Sequence, residues 1–211
     1  AAPTGRAAKR MSEATSYEAK TVHRLLEMEY TGDDENASFL RDEKNLLDEN
    51  VFIIDEASMI DIFLFHSLLR AIKPGARLIL IGDADQLPPV GAGNVLDDLI
   101  SSEAFPLVRL TRIFRQSGES MIVTNAHMIN EGKFPDCSNK DGDFFLMPRY
   151  SDGEPASTVA ELIKKRLPAK YGKDIAGDIQ IITPSRKGAS GTVELNARLQ
   201  QLLNPRAPEK A

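Results

Sequence analysis

The chain has 211 residues, of which 42% are hydrophobic and 27% charged, and its formal net charge is −5. These proportions are ordinary for a globular protein with a core of its own, and the length allows one large domain or two small ones. No apolar stretch approaches the ~20 residues that a membrane span needs, so we expect no membrane partner. The single cysteine, Cys137, excludes an internal disulfide and fits a reducing cytoplasm. The acidic balance does not exclude nucleic-acid binding, because a binding groove needs only a local basic stripe.

The first two thirds of the chain alternate between helical and strand patterns. Short apolar runs without polar alternation, such as Val51–Ile54, are typical of parallel strands that are buried on both faces. In chain order we predict helices at 6–13 and 19–28, an irregular polar segment at 31–50, a strand at 51–55, a helix at 61–72, a strand at 78–81, a helix at 94–101, a strand at 107–110 and a helix at 121–130. The alternation predicts an α/β fold with a doubly wound parallel sheet.

A polar segment rich in Pro, Gly, Asn and Asp, residues 135–143, is a plausible linker, and the pattern restarts after it. We predict a strand at 144–147, a helix at 156–166, a strand at 179–183 and a helix at 192–203. The sequence is therefore interpreted as a first domain over residues 1–137 and the opening of a second domain over residues 138–211.

Two adjacent carboxylates, Asp55 and Glu56, directly follow the first of the buried runs. They are expected at the carboxyl edge of the sheet, where open α/β folds bind ligands. One carboxylate can hold Mg²⁺ while its neighbour orients a water for in-line attack on a phosphate. Such pairs are also common in solvated surface loops, but the buried strand before this pair favours a functional role.

A second polar turn, Gly82–Gln86, follows the next predicted strand. Gln86 can hydrogen-bond both a γ-phosphate and the attacking water at this position, so it can sense whether the phosphate is present. The alternative is a polar turn with an exposed glutamine. The next segment places Pro88 and Pro89 before two glycines, and this mixture of rigid and permissive residues suits close approach to a ligand backbone.

Basic and hydroxyl side chains follow other strand ends. Arg112 and Arg115 could stabilise charge on a transferring phosphoryl group or form surface ion pairs, and their chemistry alone does not decide. Two further segments could contact phosphate or serve as an ordinary cap or turn. They are Pro3, Thr4, Gly5 and Arg6 at a strand-to-helix turn, and Thr183, Arg186 and Lys187 after the strand at 179–183. His23, on a helix with apolar neighbours, is by its own chemistry more often a packed or capping residue than a ligand.

One part of a nucleotide hydrolase is missing from the sequence. Such an enzyme needs a loop of the form Gly-x-x-x-x-Gly-Lys-Thr/Ser to hold the β- and γ-phosphates, and the chain contains none. The sequence also has no Cys/His cluster at metal-ligand spacing and no arguable Ser-His-Asp set. The carboxylate pair is therefore expected to be part of a catalytic site rather than the whole of one.

Read together, these segments resemble motifs of the RecD/TraA-like helicases of superfamily 1, the branch that moves 5′→3′ on single-stranded DNA. The matching segments are Pro3–Met11 (motif Ia), Thr21–Leu26 just after it, Asp55–Ser58 (motif II), Gly82–Gly91 (motif III), Leu110–Gln116 (motif IV) and Thr183–Gly188, at the opening of a second motor domain. The resemblance runs nearly from end to end, and motifs III and IV are its most specific parts.

The resemblance implies a RecA-like parallel sheet flanked by helices, a partial P-loop NTPase fold, followed by the start of a second RecA-like domain, with ATP bound between the two. In that family Asp55 would help to hold Mg²⁺ and Glu56 would activate water. Gln86 would couple phosphate to the DNA-binding loops, and Arg115 would reach the γ-phosphate. Single-stranded DNA would contact Pro3, Thr4, Gly5, Arg6, His23, Pro88, Pro89, Thr183, Arg186 and Lys187. A bacterial cytoplasmic helicase of recombination and repair, acting alone or within a multi-subunit nuclease complex, is the expectation.

The same resemblance implies that the glycine-lysine loop precedes Ala1 and that later motifs, including the second domain's arginine finger, follow Ala211. We therefore expect an internal piece of a larger helicase that is inactive alone. Two alternatives remain open. One is a PhoH-like ATPase, which also pairs an Asp-Glu strand with a Gly-Asp-x-x-Gln strand but is not expected to continue into a second motor domain. The other is a non-catalytic nucleic-acid-binding or structural module.

Overall fold

The structure is a computed structural model, and it describes residues 1–30, 37–110, 120–138, 142–172 and 177–205. The chain divides into two compact units, Ala1–Gln116 and Ser117–Ala211. The assignment of residues 1–137 and 138–211 to two motor domains stays a prediction. Within the described residues, no helix is long and apolar enough to cross a membrane.

The first unit contains four helices and four strands among its described residues. They are α1 (Gly5–Thr15), α2 (Val22–Leu25), β1 (Met28–Tyr30), β2 (Ala37–Phe39), β3 (Val51–Ile54), α3 (Ile62–Ala71), β4 (Arg77–Leu80) and α4 (Val95–Ser101), with a short 3₁₀ turn at Ala57–Met59 between β3 and α3. The predicted strands at 51–55 and 78–81 and the helices at 6–13, 61–72 and 94–101 are confirmed to within two residues at each end.

A parallel layer lies at the centre of the first unit. β3 and β4 pair in parallel over their whole length. The chain start lies on the other side of β3, because the Ala1 nitrogen donates to the Ile53 carbonyl at 2.7 Å and the Asp55 N–H donates to the Ala1 carbonyl at 3.0 Å. Ala2 forms a parallel bridge with Thr21 in turn. The predicted α/β fold with a parallel sheet is confirmed for this unit.

The hydrophobic core lies on one face of this layer. Phe52 and Ile54 of β3 are buried there, together with Leu64 and Leu68 of α3 and Leu96 of α4. Apolar side chains on the opposite face stay 43–51% exposed; they are Val51, Ile53, Ile79 and Ile81. Burial on both faces was predicted from the continuous apolar run, and it is wrong for the described residues, because helices pack on one face alone.

The helix predicted at 19–28 is wrong, because only one turn of it forms. α2 begins after its N-cap Thr21, and the chain leaves the helix at Glu27, whose φ is +54°. It then enters β1, which pairs antiparallel with β2 inside the predicted irregular segment at 31–50. Arg41 donates to the Glu27 carboxylate at 2.9 Å and so ties the two ends of this hairpin together. Periodicity over one turn cannot distinguish a helix of this length from a longer one.

The second unit is helical among its described residues. Its elements are α5 (Met121–Asn130), α6 (Glu154–Glu161), a π-helical turn (Leu162–Arg166), α7 (Leu167–Tyr171) and α8 (Thr192–Leu203). The predicted helices at 121–130 and 192–203 are confirmed, and the helix predicted at 156–166 continues to Tyr171. The opening of a second RecA-like domain stays a prediction.

Three predicted strands are wrong, at 107–110 in the first unit and at 144–147 and 179–183 in the second. Their apolar side chains are largely exposed, as for Leu110, Leu146 and Ile182. A parallel strand is stabilised by hydrogen bonds to a neighbour, and no described strand pairs with any of these segments. Their composition is that of a strand, but composition supplies no partner.

Two polar side chains fasten the loop after α5 to that helix. Asn125 is fully buried, and its amide bonds Asp136 in both directions, accepting from the backbone N–H at 2.7 Å and donating to the carbonyl at 2.8 Å. The Asp143 carboxylate accepts from the Ser120 hydroxyl at 2.6 Å and from the Met121 N–H at 2.8 Å at the start of α5. These bonds, the hydroxyl first, hold the pKa of Asp143 below its usual range.

We predict that Asn125→Ala destabilises the chain by about 2 kcal/mol, because two buried hydrogen bonds are lost and both Asp136 backbone groups lose their partner. The measurement is the free energy of unfolding in urea. Asn130→Ala, at the exposed end of the same helix, is the matched control and should change it by less than about 0.5 kcal/mol. Equal losses in the two variants would contradict the role of the Asp136 contact.

Candidate functional site

Three of the four residues predicted to be catalytic follow β3 and β4 at one edge of the sheet; they are Asp55, Glu56 and Gln86. The Ile81 N–H donates to the Ile54 carbonyl at 2.8 Å, and the Ala57 N–H donates to the Ile81 carbonyl at 2.8 Å. These bonds continue the pairing of β3 and β4 beyond the last residues of both strands. The pair Asp55 and Glu56 therefore lies beside the start of the Gly82–Gln86 turn, as the sequence predicted.

The carboxylate pair has an unusual backbone. Glu56 is in the left-handed region, at φ +55° and ψ +38°, and it precedes the 3₁₀ turn. This conformation costs a non-glycine residue about 1–2 kcal/mol, and such residues cluster at functional sites as well as at helix ends. The Glu56 N–H donates to Oδ1 of Asp55 at 3.0 Å. Among the described residues no donor reaches Oδ2 of Asp55, so one carboxylate oxygen remains available for a ligand.

Gly82 is where the two strand ends touch. A Cβ at this position would lie 2.8 Å from Cδ2 of Leu96, 3.0 Å from the Ser58 nitrogen and 3.1 Å from the Ala57 nitrogen. Only a residue without a side chain allows the backbone after β4 to approach the backbone after Glu56 this closely. Sequence reasoning missed this role of Gly82, because the contact joins segments that are distant in the chain.

Asp83 organises the turn that carries Gln86. Its Oδ1 accepts from the Asp85 N–H at 3.0 Å, and its carbonyl accepts from the Gln86 N–H at 3.2 Å. The Gln86 side chain donates weakly to Oδ2 of Asp83 at 3.4 Å and is exposed. Asp83 was not singled out from the sequence, although an Asp that bonds the backbone two residues on is a known turn signal.

The loop that holds Pro88 and Pro89 is anchored at its far end. The Ile62 N–H at the start of α3 donates to the Ala92 carbonyl at 2.9 Å, and Gly91 lies against the side chain of Asp61 so closely that a Cβ would clash. Asp61 also caps α3 by accepting from the Leu64 N–H at 2.8 Å. The near end projects outward, where Leu87 is 86% exposed.

Residues Pro3 to Arg6 leave the same sheet edge as Asp55, because Ala1 pairs directly with β3. The Thr4 hydroxyl accepts from the Ala7 N–H at 3.3 Å and caps α1, while Gly5 and Arg6 are exposed. His23 on α2 packs its ring against Phe39, with the two ring centroids 6.0 Å apart. The structure thus gives Thr4 and His23 local structural contacts, and their predicted contact with DNA stays a prediction.

Ser58 ends the segment that resembles motif II and lies next to this edge, but its burial was not predicted. It is 4% exposed, and its hydroxyl has no hydrogen-bond partner among the described residues. A buried hydroxyl without a partner is unfavourable, so its presence directly after Asp55 and Glu56 marks the segment as one under constraint. Arg112 and Arg115 lie outside the described residues, and their predicted roles stay predictions.

In the second unit, the predicted phosphate-contacting residues form the turn before α8. Thr183 donates its hydroxyl to the Ser190 carbonyl at 2.8 Å, and the Val193 N–H donates to the Arg186 carbonyl at 3.2 Å. The side chains of Arg186 and Lys187 are exposed, and they line an open cavity of about 570 Å³ together with Gly188, Val193 and Glu194. Thr183 therefore shapes the turn, and the two cations face solvent.

Comparison with known proteins identifies the family. The family described as an AAA domain matches residues 1–143. The chain belongs to this family. It is 39% identical to the ATP-dependent RecD2 DNA helicase of Deinococcus radiodurans, over 97% of the chain and 26% of that protein. It is 34% identical to the RecBCD enzyme subunit RecD of Mycobacterium tuberculosis, over 96% of the chain and 40% of that protein. It is 33% identical to the ATP-dependent DNA helicase dda of Enterobacteria phage T4, over 64% of the chain and 31% of that protein.

The resemblance to RecD-like helicases that the motifs indicated is confirmed by these matches. The chain spans between about a quarter and two fifths of the length of these relatives. Nucleotide use is shared by this AAA domain family and its helicase relatives, as the sequence predicted.

Within the described residues, the carboxylates at the sheet edge do not make up a metal site by themselves. No group of three or more His, Cys, Asp and Glu side chains within the described residues could hold a metal. Mg²⁺ in nucleotide hydrolases takes one or two carboxylates and completes its shell with water and phosphate oxygens. Asp55, half-buried and with Oδ2 available, provides one such carboxylate.

We predict that Gly82→Ala destabilises the first unit by about 1–3 kcal/mol, because the added methyl group forces the ends of β3 and β4 apart. The free energy of unfolding is the measurement. Gly177→Ala is the control, since a Cβ at Gly177 meets nothing within 4 Å. A Gly82→Ala variant as stable as the Gly177→Ala variant would show that the contact has been misjudged.

Proposed function

We propose that this chain is part of an ATP-dependent DNA helicase of RecD type, which couples ATP hydrolysis to movement along single-stranded DNA and to duplex unwinding. The observation that carries the proposal is the meeting of Asp55 and Glu56 with the Gly82–Gln86 turn at one edge of a parallel sheet. Relatives that match nearly the whole chain are named as helicases or as a RecBCD subunit, which supports the same reading.

In this proposal Asp55 would help to hold Mg²⁺, and the ion would supply charge neutralisation at the phosphate oxygens of ATP. Glu56 accepts a proton from the attacking water and orients it for in-line displacement. Its left-handed backbone sets the point at which the side chain leaves the sheet edge. Gln86, on the turn held by Asp83, reads the γ-phosphate, and Arg115 stabilises the charge that develops on the transferring group.

In this proposal single-stranded DNA contacts residues of both units. In the first unit these are Pro3, Thr4, Gly5, Arg6, His23, Pro88 and Pro89, and in the second Thr183, Arg186 and Lys187. The exposed cations Arg6, Arg186 and Lys187 bind phosphates, so binding weakens with salt and depends little on base sequence. The rigid Pro88–Pro89 segment follows the Gln86 turn directly, and this continuity is what connects phosphate sensing to DNA contact.

The named relatives favour a helicase over a PhoH-like ATPase. One of them is named as a subunit of the RecBCD enzyme, so assembly into a multi-subunit nuclease complex is part of the proposal. A second candidate applies to this polypeptide by itself, a non-catalytic nucleic-acid-binding module. The observation that favours it is the lack of a glycine-lysine phosphate loop anywhere in the 211 residues.

We predict that Glu56→Gln, made in the full-length protein that carries this chain, lowers DNA-stimulated ATP hydrolysis by about 10²–10⁴-fold, because the general base is removed. Binding of ATP should persist, since the amide keeps the shape of the side chain. Steady-state turnover and nucleotide binding are measured side by side. Glu103→Gln is the matched control, because Glu103 also has a left-handed backbone, at φ +53°, and is exposed. Retained hydrolysis in Glu56→Gln would refute the base assignment.

For the 211-residue chain alone, we predict ATP hydrolysis near background even with saturating single-stranded DNA, because no loop holds the β- and γ-phosphates. The rate of phosphate release with and without DNA is the measurement. The full-length protein assayed at the same concentration is the positive control. Robust turnover by the isolated chain would contradict the view that it holds only part of the site.

A further inference from the structure

Four exposed cations lie close together on the long helix of the second unit. They are Lys164, Lys165, Arg166 and Lys170, and they are called the basic patch below. All four fall within seven residues that contain no acidic side chain. The first three belong to the π-helical turn between α6 and α7, and the fourth lies in the last turn of α7.

Within the part of the chain that the structure describes, no ion pair compensates the charge of the basic patch. Some other exposed cations in the described residues pair with carboxylates within 4.0 Å, for example Lys133 with Glu131. Others, such as Arg6 and Lys187, form no ion pair with a described carboxylate. No acidic side chain in the described part of the chain reaches any member of the patch at that distance, although Glu161 precedes it by one turn. Like charges on neighbouring residues repel one another, and a bound anion relieves that repulsion.

The helix geometry turns the basic patch outward. Ile163 is buried and marks the inner side of the helix. The next three residues fan around the outer side, because successive residues of a helical turn point in successive directions. Pro168 explains the wide turn, since it has no N–H to donate to the carbonyl four residues earlier. The Leu167 N–H accordingly donates to the carbonyl of Leu162, five residues back.

The helix dipole does not account for the whole basic patch. Cations are favoured in the last turn of a helix, which explains Lys170. Lys164, Lys165 and Arg166 lie more than a turn from the end at Tyr171, where the effect of the dipole has largely faded.

An exposed aromatic ring adjoins the basic patch. Tyr171 is 59% exposed, and the Lys170 ammonium lies 5.2 Å from the centre of its ring. Cations that follow a phosphate backbone, combined with an aromatic face on which a base can stack, are the features of surfaces that bind single strands without sequence preference. An acidic protein surface would use the cations but not the ring face.

The second unit is much less acidic than the first, which also favours a negatively charged partner for the basic patch. Residues 117–211 hold 13 basic and 12 acidic side chains, whereas residues 1–116 hold 13 basic and 19 acidic ones. The net charge of −5 therefore comes from the first unit, and a polyanion approaching the second unit meets little repulsion from its own acidic residues.

We propose that the basic patch and Tyr171 form a binding surface for single-stranded nucleic acid, with phosphates on the cations and a base stacked on the tyrosine ring. The surface is separate from Thr183, Arg186 and Lys187 in sequence. It rests on none of the hydrolytic roles proposed for the first unit, so it stands or falls independently of them.

The test measures binding of the 211-residue chain to a fluorescent oligothymidylate by anisotropy across a series of salt concentrations. The variant Lys164→Ala/Lys165→Ala/Arg166→Ala should bind about tenfold more weakly at low salt. The slope of log affinity against log salt should become shallower by about 2, since each phosphate contact on a single strand contributes roughly 0.7. The control, Lys20→Ala/Lys44→Ala/Lys133→Ala, removes the same charge from exposed positions elsewhere and should leave both quantities within error of the parent chain.

A second pair of variants separates stacking from charge. Tyr171→Ala should weaken binding several-fold at every salt concentration without changing the slope, and Tyr171→Phe should restore the affinity because it keeps the ring face. Circular dichroism is the control for folding. Because the substituted residues are exposed, each variant should keep the helix content of the parent chain.

Two outcomes overturn the proposal. One is a patch variant whose slope and affinity match those of the control variant. The other combines two results: polyglutamate of equal charge displaces the oligonucleotide, and Tyr171→Ala binds the oligonucleotide as tightly as the parent chain. That combination would assign the patch to an acidic protein partner. Arg186→Ala/Lys187→Ala, tested in parallel, distinguishes the two surfaces. If this variant loses affinity for the oligonucleotide and the patch variant does not, the α8 turn is the DNA contact and the patch is refuted. If only the patch variant loses affinity, the patch is supported and the contact at the α8 turn is refuted.

Discussion

The backbone hydrogen bonds that continue the pairing of β3 and β4 hold the first unit's candidate site together. Ile81 donates to Ile54, and Ala57 donates back to Ile81, so each chain segment is fixed at the point where it leaves the sheet. Both bonds lie at one edge, so the carboxylates after β3 and the turn after β4 cannot separate without loss of the parallel pairing. A site built from distant segments thus takes its geometry mainly from backbone bonds.

Elements with their own stop and start signals were predictable from the sequence. α3 begins after Asp61, which caps it, and ends just before Pro74 and Gly75, so its bounds follow from local chemistry. Segments such as 144–147 and 179–183 have the composition of strands, but a strand's hydrogen bonds belong to another segment, and no described strand supplies them. The β1–β2 hairpin was missed for a related reason, because it is closed by Glu27 and Arg41, which lie 14 residues apart.

The position of the candidate site was also predictable, whereas the contacts that shape it were not. An apolar run that ends in carboxylates indicates a sheet edge, and two such runs indicate a shared edge. The sequence cannot show that Gly82 touches the backbone nitrogens of Ala57 and Ser58, because that contact exists only after β3 and β4 have paired. Nor does it reveal the left-handed backbone of Glu56, which no turn signal at that position predicts.

Two unfavourable features lie within three residues at this edge. The left-handed backbone of Glu56 costs about 1–2 kcal/mol, and the unpartnered hydroxyl of buried Ser58 costs about 1–3 kcal/mol. They persist because the segment is fixed on both sides, by β3 before it and by the buried Ile60 and the capped start of α3 after it. A conformation that local sequence disfavours and the surrounding core enforces holds the Glu56 backbone in place before any ligand binds. The proposed hydrolysis depends on this pre-organisation, because a base that must first be ordered gives up part of its catalytic advantage.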